Sequence, residues 1–273
     1  MIDLSKASKA AEQAAYAAGT HLLASRSRLA EVLITQKSPG DVASAIDVEA
    51  QSLIRDVVLK HFPDHSFFGE VGGAVVHDGA PQWVVDPLDG TANYLRGYPQ
   101  YAVSIALVQD GESMLGVVFD PCRNEFFGAI RGHGAVLNGQ RIQCAAPRQS
   151  ITAMAATVFP KPTSPCMPQY MGELGRVLHG FGGVRRSGCM ALEMAYLAAG
   201  RLDAFWGHDM GAWDAAAGIV LLREAGAVLH PRDRIALLDS RSLMASTPAL
   251  MADFAALLGP NDPGKCVGNA FTV

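Results

Sequence analysis

Basic clusters and long apolar stretches are both missing from this 273-residue sequence. Charged residues make up 18% of it, and the formal net charge is −4, with no run of lysine or arginine. A protein that binds nucleic acid or an anionic membrane surface is expected to carry a basic stripe, so neither partner is predicted. The longest apolar stretch, at 215–222, is too short to span a bilayer.

Cysteine is also sparse. The five cysteines are widely spaced and form no C-x-x-C pair, which argues against a disulfide framework or a zinc site and favours a reducing compartment. The first residues lack a basic region followed by an apolar core, so no signal peptide is predicted. These features together predict a cytoplasmic protein.

What the sequence does contain is a globular composition, 49% apolar, in which helical and strand patterns alternate. Helices are predicted where apolar residues recur every three or four positions, at 5–34, 47–60, 171–179, 191–199 and 214–225. Strands are predicted where short apolar runs are bounded by Gly or Pro, at 83–85, 103–108, 115–119, 125–129, 153–159 and 202–206. The mixture predicts a layered α/β sandwich, with subdomains 1–145 and 146–273 packed as one unit.

The most informative segment is 83–94, with the sequence WVVDPLDGTANY. An apolar strand runs directly into Asp86, Pro87 prevents the strand from continuing, and a second carboxylate follows at Asp89. Such a turn can aim both carboxylates at one point and expose the Leu88 carbonyl between them. Hard oxygen ligands that converge in this way suit Mg²⁺.

Gly90 and Thr91 follow at once and predict the start of a helical turn. Free N–H groups at a helix start bind anions, and glycine permits close approach. A candidate phosphate cradle therefore lies beside the candidate metal ligands. Metal-assisted phosphoryl transfer to water requires this adjacency.

Each acidic residue also has a purely structural explanation. Asp-Pro and Asp-Gly are common turn dipeptides, so Asp86 and Asp89 would then only shape a turn. Asp214 opens a predicted helix, where aspartate is a good N-cap. Glu70 follows a short predicted strand, where a glutamate is usually solvated. Taken one at a time, the residues leave both explanations open.

Four separated segments together resemble the inositol monophosphatase family of Mg²⁺-dependent, lithium-sensitive phosphatases. The segments are Gly69-Glu70, the DPLDGTANY run at 86–94, the WDAAAG run at 213–218 with EAG at 224–226, and the 37–47 segment, which is similar to the family's basic loop. The likeness covers about residues 10–255. The two longer motifs, in this order, are highly specific.

The resemblance implies a ligand set for two or three Mg²⁺ ions per site. Glu70, Asp86 and the Leu88 carbonyl are implied as ligands of a first ion. Asp86, Asp89 and Asp214 are implied as ligands of a second, and Glu70 would also hold a further, weaker ion and its water. Carboxylates at this density repel one another strongly without cations, so the site is expected to be metal-avid.

The resemblance also implies the catalytic groups. Thr91, with Asp47, would orient the attacking water, and Glu70 is the third implied catalytic residue. Gly90 and Thr91 would donate N–H groups to the phosphate of the substrate. The implied fold is the αβαβα sandwich of the inositol monophosphatase and sugar phosphatase type, and the family is usually homodimeric.

Three positions depart from the family pattern. Val71 stands where many relatives have a second glutamate, which predicts weaker support of the metal rather than loss of activity. Gly207 stands where inositol-specific members carry a glutamate that binds sugar hydroxyls. His208 and Asp209 are polar residues that could replace the glutamate, but neither occupies the matching position in the family pattern. Met190 stands where a small residue is common. We expect Met190 and Gly207 to border the leaving group of the substrate.

The sequence therefore predicts a phosphoric monoester hydrolase that acts on a small phosphorylated alcohol. Inositol 1-phosphate, converted to myo-inositol and phosphate by a metal-activated water, is the first expectation. Because of Gly207 and Met190, histidinol phosphate, a sugar phosphate and a 3′-phosphonucleotide are alternatives. A function of another class is a transcription-associated binding protein with vestigial phosphatase activity, against which the complete acidic set argues.

Overall fold

The computed structural model describes residues 2–31, 34–38, 41–71, 73–146, 148–233 and 235–260, with the backbone alone at 30, 31, 34–38 and 41–43. The side chains of the segment expected to act as a basic loop, at 37–41, lie outside the described residues. The α-helices in these ranges are α1 Leu4–Ser25, α2 Ala45–His61, α3 Thr91–Leu95, α4 Met167–Gly180, α5 Met190–Ala198, α6 Ala212–Glu224 and α7 Met251–Leu258.

The strands in the same ranges are β1 Ile34–Ser38, β2 Asp41–Ser44, β3 Ser66–Gly69, β4 Ala74–Val75, β5 Gln82–Asp89, β6 Ala102–Gln109, β7 Glu112–Asp120, β8 Glu125–Ile130, β9 Gly134–Leu137, β10 Gln140–Ile142, β11 Met154–Thr157, β12 Gly183–Arg185, β13 Ala204–Gly207, β14 Val228–Pro231 and β15 Leu243–Ser246.

Two large sheets form the framework of the protein. An eight-stranded sheet has the order β10-β9-β8-β7-β6-β5-β3-β4, and a five-stranded sheet has the order β12-β11-β13-β15-β14. Helices α1 and α2 cover the outer face of the first sheet, α5 and α6 lie between the two sheets, and α4 and α7 cover the outer face of the second. The layers alternate as α, β, α, β, α, which confirms the predicted sandwich.

Alternating side chains let the first sheet serve two cores. In β5, Trp83 and Val85 belong to the core that contains α1 and α2, whereas Val84 belongs to the core that contains α5 and α6. This follows from strand geometry, because successive side chains point to opposite faces. Helix α1 contributes small buried residues to its core: Ala7, Ala11, Ala14, Ala15 and Ala18.

Small residues bring helix α6 close to the first sheet. Ser113 of β7 donates its hydroxyl to the Ala216 carbonyl at 2.9 Å. A β-carbon on Gly116 would lie 2.6 Å from the Ala217 carbonyl oxygen and 2.9 Å from its Cα. Backbone atoms cannot move aside by a change of rotamer, so Gly116 sets the spacing between β7 and α6.

Strand β5 continues beyond the point at which the sequence predicts its end. Its ladder with β6 shifts register between Asp86 and Asp89. Pro87, which has no N–H, therefore lies at an irregularity, where a regular ladder bond is not required. The proline bends the strand and does not end it.

The segment 5–34, predicted to contain one or two helices, forms one α-helix and a short 3-10 segment, and its last residue already belongs to a strand. Helix α1 ends at Ser25, a 3-10 segment follows at Arg26–Glu31, and β1 already begins at Ile34. The Ser27 hydroxyl donates to the Ala24 carbonyl at 3.1 Å, and such local bonds compete with a continuing α-helix.

The two sheets occupy consecutive parts of the chain. The first ends with β10 at Ile142, and the second begins with β11 at Met154. The boundary predicted near residue 145 falls in this interval, and a division into 1–145 and 146–273 stays a prediction. The helices between the sheets form one continuous core with both of them.

Two composition-based expectations concern cysteine and membranes. Cys122, Cys144 and Cys189 are free thiols, but Cys166 takes part in a disulfide bond. The wide spacing of the cysteines along the chain did not predict this bond, because spacing along the chain does not measure distance in the fold.

In the described part of the chain, no helix has the length and apolarity needed to cross a bilayer.

Gly116→Ala should lower the free energy of unfolding by about 1–3 kcal/mol, the usual cost of overpacking a core. Gly175→Ala in α4 is the matched control, because a β-carbon there meets no atom within 4 Å and alanine favours a helix over glycine by about 1 kcal/mol. Urea denaturation of both variants measures the difference. An unchanged midpoint for Gly116→Ala would contradict the close approach of α6 to β7.

Candidate metal centre

Four acidic side chains meet at the ends of three elements. Strands β3 and β5 are parallel neighbours with Gly69 opposite Val85, so Glu70 and Asp86 leave the sheet side by side. Asp89 ends β5. Asp214 lies in the first turn of α6. One cavity of about 200 Å³ is lined by Glu70, Asp86, Leu88, Asp89, Gly90, Thr91 and Asp214, together with a few neighbours.

Backbone amides hold three of these carboxylates in place. The contacts run from the Leu88 amide to Asp86 Oδ1 at 3.0 Å, from the Ala191 amide to Asp89 Oδ2 at 2.5 Å, and from the Gly211 amide to Asp214 Oδ2 at 2.6 Å. Gly211, and not Asp214, is the N-cap of α6, but Asp214 at the third helical position accepts from the Gly211 amide and so stabilises the helix start. A carboxylate has two oxygens, so capping by one is compatible with metal binding by the other.

The cluster is electrostatically crowded. Burial raises the pKa of Asp86 well above its ordinary value, and the charges of Glu70, Asp89 and Asp214 raise it further. Burial raises the pKa of Asp89 to about 6, although the Ala191 amide opposes the rise. Burial and the charges of Asp89 and Glu70 raise the pKa of Asp214 well above its ordinary value. A bound divalent cation would relieve this repulsion.

The donor set fits a hard cation. Carboxylate oxygens and the Leu88 carbonyl are the ligand types that Mg²⁺ prefers. Among the described residues, no group of three acidic, histidine or cysteine side chains is close enough to enclose a metal ion by itself. The shared cavity and the mutual repulsion of the carboxylates are thus the observations that favour a cation here.

Thr91 and Asp47 form a buried pair beside the acidic cluster. The Thr91 hydroxyl lies 2.9 Å from Asp47 Oδ1 and 2.9 Å from the Leu88 carbonyl oxygen. Asp47 lies in the first turn of α2, where its Oδ2 accepts from the Ser44 amide at 2.9 Å. Burial raises the pKa of Asp47. The fold thus brings together two residues that the sequence separates widely.

Gly90 occupies a position that only glycine fills without strain. Its φ is +94°, in the left-handed region that other residues rarely adopt. A β-carbon there would also lie 2.9 Å from the Gln100 carbonyl oxygen. Helix α3 begins directly after it at Thr91, which places the start of a short helix against the cavity.

Met190 and Gly207 lie away from the described lining of this cavity. Met190 opens α5 and is buried in the core between the sheets. A β-carbon on Gly207 would lie 3.1 Å from a Val158 methyl and 3.2 Å from the Met210 sulfur. A side chain at position 207 would require these neighbours to move by a few tenths of an ångström, so apolar atoms crowd the position at which a sugar-binding glutamate is expected in inositol-specific relatives.

His208 does not replace that glutamate. It is buried, with Nε2 at 2.7 Å from Glu173 and Nδ1 at 2.6 Å from the Ser242 hydroxyl. Glu173 also accepts from Arg232 at 2.6 Å. The imidazole is therefore bound on both nitrogens within an internal polar network.

Gln51 supports the strand end that carries Glu70. The Val71 amide donates to Gln51 Oε1 at 3.0 Å, and the Gln51 amide group donates back to the Val71 carbonyl. This clamp acts where many relatives have their second glutamate. No local sequence pattern singles out Gln51, because it lies in the middle of α2.

Glu193 in α5 supports a loop at 186–189 that borders the cavity. Its Oε1 accepts from the Ser187 amide at 2.6 Å and from the Ser187 hydroxyl at 2.8 Å, while its Oε2 is buried without a hydrogen-bond partner. Burial raises the pKa of Glu193 to about 8. The sequence analysis did not identify this residue, since a glutamate inside an apolar helix gives no signal of its contacts.

The Inositol monophosphatase family model matches residues 3–260 of the chain. The chain belongs to the inositol monophosphatase family. The Inositol-1-monophosphatase of Rhizobium meliloti is 40% identical to it over 215 residues, a match that covers 78% of this chain and 81% of the relative. The protein named Nus factor SuhB of Xylella fastidiosa is 43% identical over 215 residues, covering 78% of each chain.

A solved structure shows the same fold. The extragenic suppressor protein suhB from Bartonella henselae superimposes with a TM-score of 0.89 at 33% identity, and the match covers 93% of this chain and 98% of that one. The inositol monophosphatase family is metal-dependent, in agreement with the acidic cavity. These three relatives carry three different names, so membership of the family alone does not decide a substrate.

Glu193→Gln should make the protein more stable than wild type, increasingly so as the pH rises. The Glu193 pKa is about 8 in the folded protein against 4.5 ordinarily, so the folded state binds more protons between these values and loses stability with rising pH. Glutamine removes that loss, a relative gain of about 1–4 kcal/mol between pH 5 and pH 8. Urea titrations in EDTA measure it, and a pH-independent difference would contradict the raised pKa.

Mg²⁺ should raise the Tm of the wild-type protein, since a ligand at 10 to 100 times its Kd adds about 1.4–2.7 kcal/mol. Asp214→Asn should raise the Tm measured in EDTA, because one repelling charge is removed, and should reduce the gain from Mg²⁺. Scanning calorimetry with and without Mg²⁺ compares the two proteins. An equal Mg²⁺ gain in both would contradict a ligand role for Asp214.

Proposed function

We propose that this protein is a Mg²⁺-dependent phosphomonoesterase, which releases phosphate from a small phosphorylated alcohol by attack of water. The observation that carries the proposal is one cavity with both metal-type ligands and a helix start suited to an anion: Glu70, Asp86, Asp89, Asp214, Gly90 and Thr91. Phosphate-ester hydrolysis requires these two kinds of group to face the same space.

Two or three Mg²⁺ ions per site are part of the proposal, held by Glu70, Asp86, Asp89, Asp214 and the Leu88 carbonyl. Magnesium bound there lowers the pKa of a coordinated water and offsets charge on the phosphate and on the leaving oxygen. Glu70, which leaves β3 beside Asp86, would orient the attacking water. Gly90 and Thr91 would donate N–H groups to the phosphate.

Thr91 and Asp47 would take up the proton of that water. A hydroxyl has one proton, and the Thr91 hydroxyl lies equally close to Asp47 Oδ1 and the Leu88 carbonyl. If the Leu88 carbonyl were engaged by a cation, the Thr91 proton would be directed to Asp47, and the Thr91 lone pairs could accept from water. Burial raises the pKa of Asp47, which makes it a stronger base.

We propose that the choice of alcohol depends on the missing acceptor at Gly207, although Gly207 itself lies outside the described lining of the cavity. Relatives named inositol-1-monophosphatase suggest inositol 1-phosphate. Gly207 offers no acceptor for sugar hydroxyls, and a side chain there would press on Val158 and Met210, which favours histidinol phosphate, a sugar phosphate or a 3′-phosphonucleotide. A phosphate-release panel with Mg²⁺, using inositol 1-phosphate, histidinol phosphate, fructose 1,6-bisphosphate and 3′,5′-phosphoadenosine, ranks these candidates.

Relatives named Nus factor SuhB support a second proposal, a transcription-associated binding protein with vestigial phosphatase activity. A chain released from catalysis can lose a metal carboxylate without consequence, whereas all four acidic residues are present here. The enzyme is therefore preferred. If no substrate in the panel is turned over, the binding protein is favoured.

We also propose that the protein acts as a homodimer in the cytoplasm. Light scattering tests the oligomeric state, and cell fractionation tests the localisation.

Asp89→Asn should abolish phosphate release, lowering kcat/KM by at least about 100-fold, the scale expected when one charge-stabilising group is lost. Asparagine keeps the contact with Ala191, so circular dichroism and Tm should show an intact fold. Asp78→Asn, at an exposed aspartate, is the matched control and should keep full activity. Full activity in Asp89→Asn would overturn the two-metal proposal.

A further inference from the structure

Arg186 is a cationic side chain in an otherwise acidic cavity. Among the described residues that line the cavity with the candidate metal ligands, it alone carries a positive charge. No described carboxylate forms an ion pair with Arg186, although Arg201 and Arg232 of the same subdomain are both paired in this way. The Arg186 side chain is exposed, so its N–H donors can reach a bound molecule as well as water.

An aromatic ring holds the Arg186 guanidinium at this place. The guanidinium lies 4.6 Å from the centroid of the Phe159 ring, a cation–π contact that leaves the N–H donors at its edge available. Phe159 in turn packs edge-on against Tyr170, with ring centroids 5.6 Å apart. The planar donor fork of arginine matches phosphate and carboxylate groups, which it can bind through two parallel bonds.

The backbone next to Arg186 is tied to the phosphate side of the cavity. Ser187 is held by Glu193, and its carbonyl accepts from the Asn93 side chain at 2.9 Å. The same Asn93 amide group donates to the Gln100 carbonyl at 2.7 Å, the carbonyl that faces Gly90. Arg186 therefore has a fixed position relative to the segment that would hold the ester phosphate.

The surroundings of the leaving group favour an anion over a neutral polyol. Position 207 has no acceptor for hydroxyls, and His208 is bound internally.

We propose that the leaving alcohol of the substrate carries a second anionic group, a phosphate or a carboxylate, which pairs with Arg186 while the ester phosphate lies against Gly90 and Thr91. This inference rests on the proposed phosphomonoesterase function and narrows its substrate class. A hydrogen bond to a charged group contributes about 1.5–3 kcal/mol, which corresponds to about a 10- to 150-fold preference.

Matched pairs of esters test this inference. Fructose 1,6-bisphosphate is compared with fructose 1-phosphate, and 3-phosphoglycerate with glycerol 3-phosphate, so that each pair differs in the second anion. Wild type should favour the doubly charged member of at least one pair by about 10-fold or more in kcat/KM. Arg186→Gln should remove this preference and leave the singly charged esters within about twofold of wild type.

Arg185→Gln is the matched control, because Arg185 is an exposed neighbour outside the described cavity lining. It should keep the wild-type preference, which excludes a general effect of charge near the site. An equal loss for both members of each pair in Arg186→Gln would show that Arg186 binds the ester phosphate and would overturn the inference. A preference that survives in Arg186→Gln would overturn it as well.

Binding measurements separate this inference from the proposed function. If no variant releases phosphate, the phosphomonoesterase proposal fails, and calorimetric titration of fructose 1,6-bisphosphate and fructose 1-phosphate in Mg²⁺ decides about Arg186. Binding of the bisphosphate that is at least 10-fold weaker in Arg186→Gln, with unchanged binding of the monophosphate, supports the inference. Equal affinities in the two proteins overturn it.

Discussion

Repulsion among the carboxylates of Asp86, Asp89 and Asp214 is the constraint on which the arrangement of this protein depends. Burial and mutual charge raise the pKa values of all three, so the group is unfavourable unless something compensates it. A backbone amide holds each of them, and the side chains cannot turn away from one another. A bound divalent cation would compensate this repulsion.

The sandwich supplies the rigidity that this crowding requires. In β5, Asp86 lies before the register shift and Asp89 lies after it. The parallel pairing of β5 with β3 places Glu70 beside them. Helix α6 brings Asp214 across from the middle layer, at a distance from the sheet that Gly116 permits. Three elements from two layers therefore meet at one point, which a site built from loops would hold less firmly.

The two sides of the cavity follow different chemical demands. The side toward Gly90 and Thr91 keeps the pattern of the inositol monophosphatase family. Gly207 departs from that pattern, and Arg186 lies over the ring of Phe159 at the edge of the same cavity. The proposed phosphate chemistry and the proposed choice of alcohol would therefore depend on separate elements.

The sequence by itself determined the features that arise within a few residues. The alternation of Trp83, Val84 and Val85 established a strand with two faces, and the Asp-Pro and Asp-Gly turns established the acidic bend, because hydrophobic period and turn chemistry act locally. The family motifs then predicted the layered fold and the acidic set. The extent of β5 and of α1 was misjudged, since a ladder irregularity and a local serine bond depend on the neighbouring structure.

Only the tertiary structure decided which distant groups touch. Glu173 binds His208 internally from a distant part of the chain. Arg186 lines the cavity, in a direction that no local sequence pattern shows. These contacts result from the packing of whole layers, and the spacing of residues along the chain carries no measure of that packing.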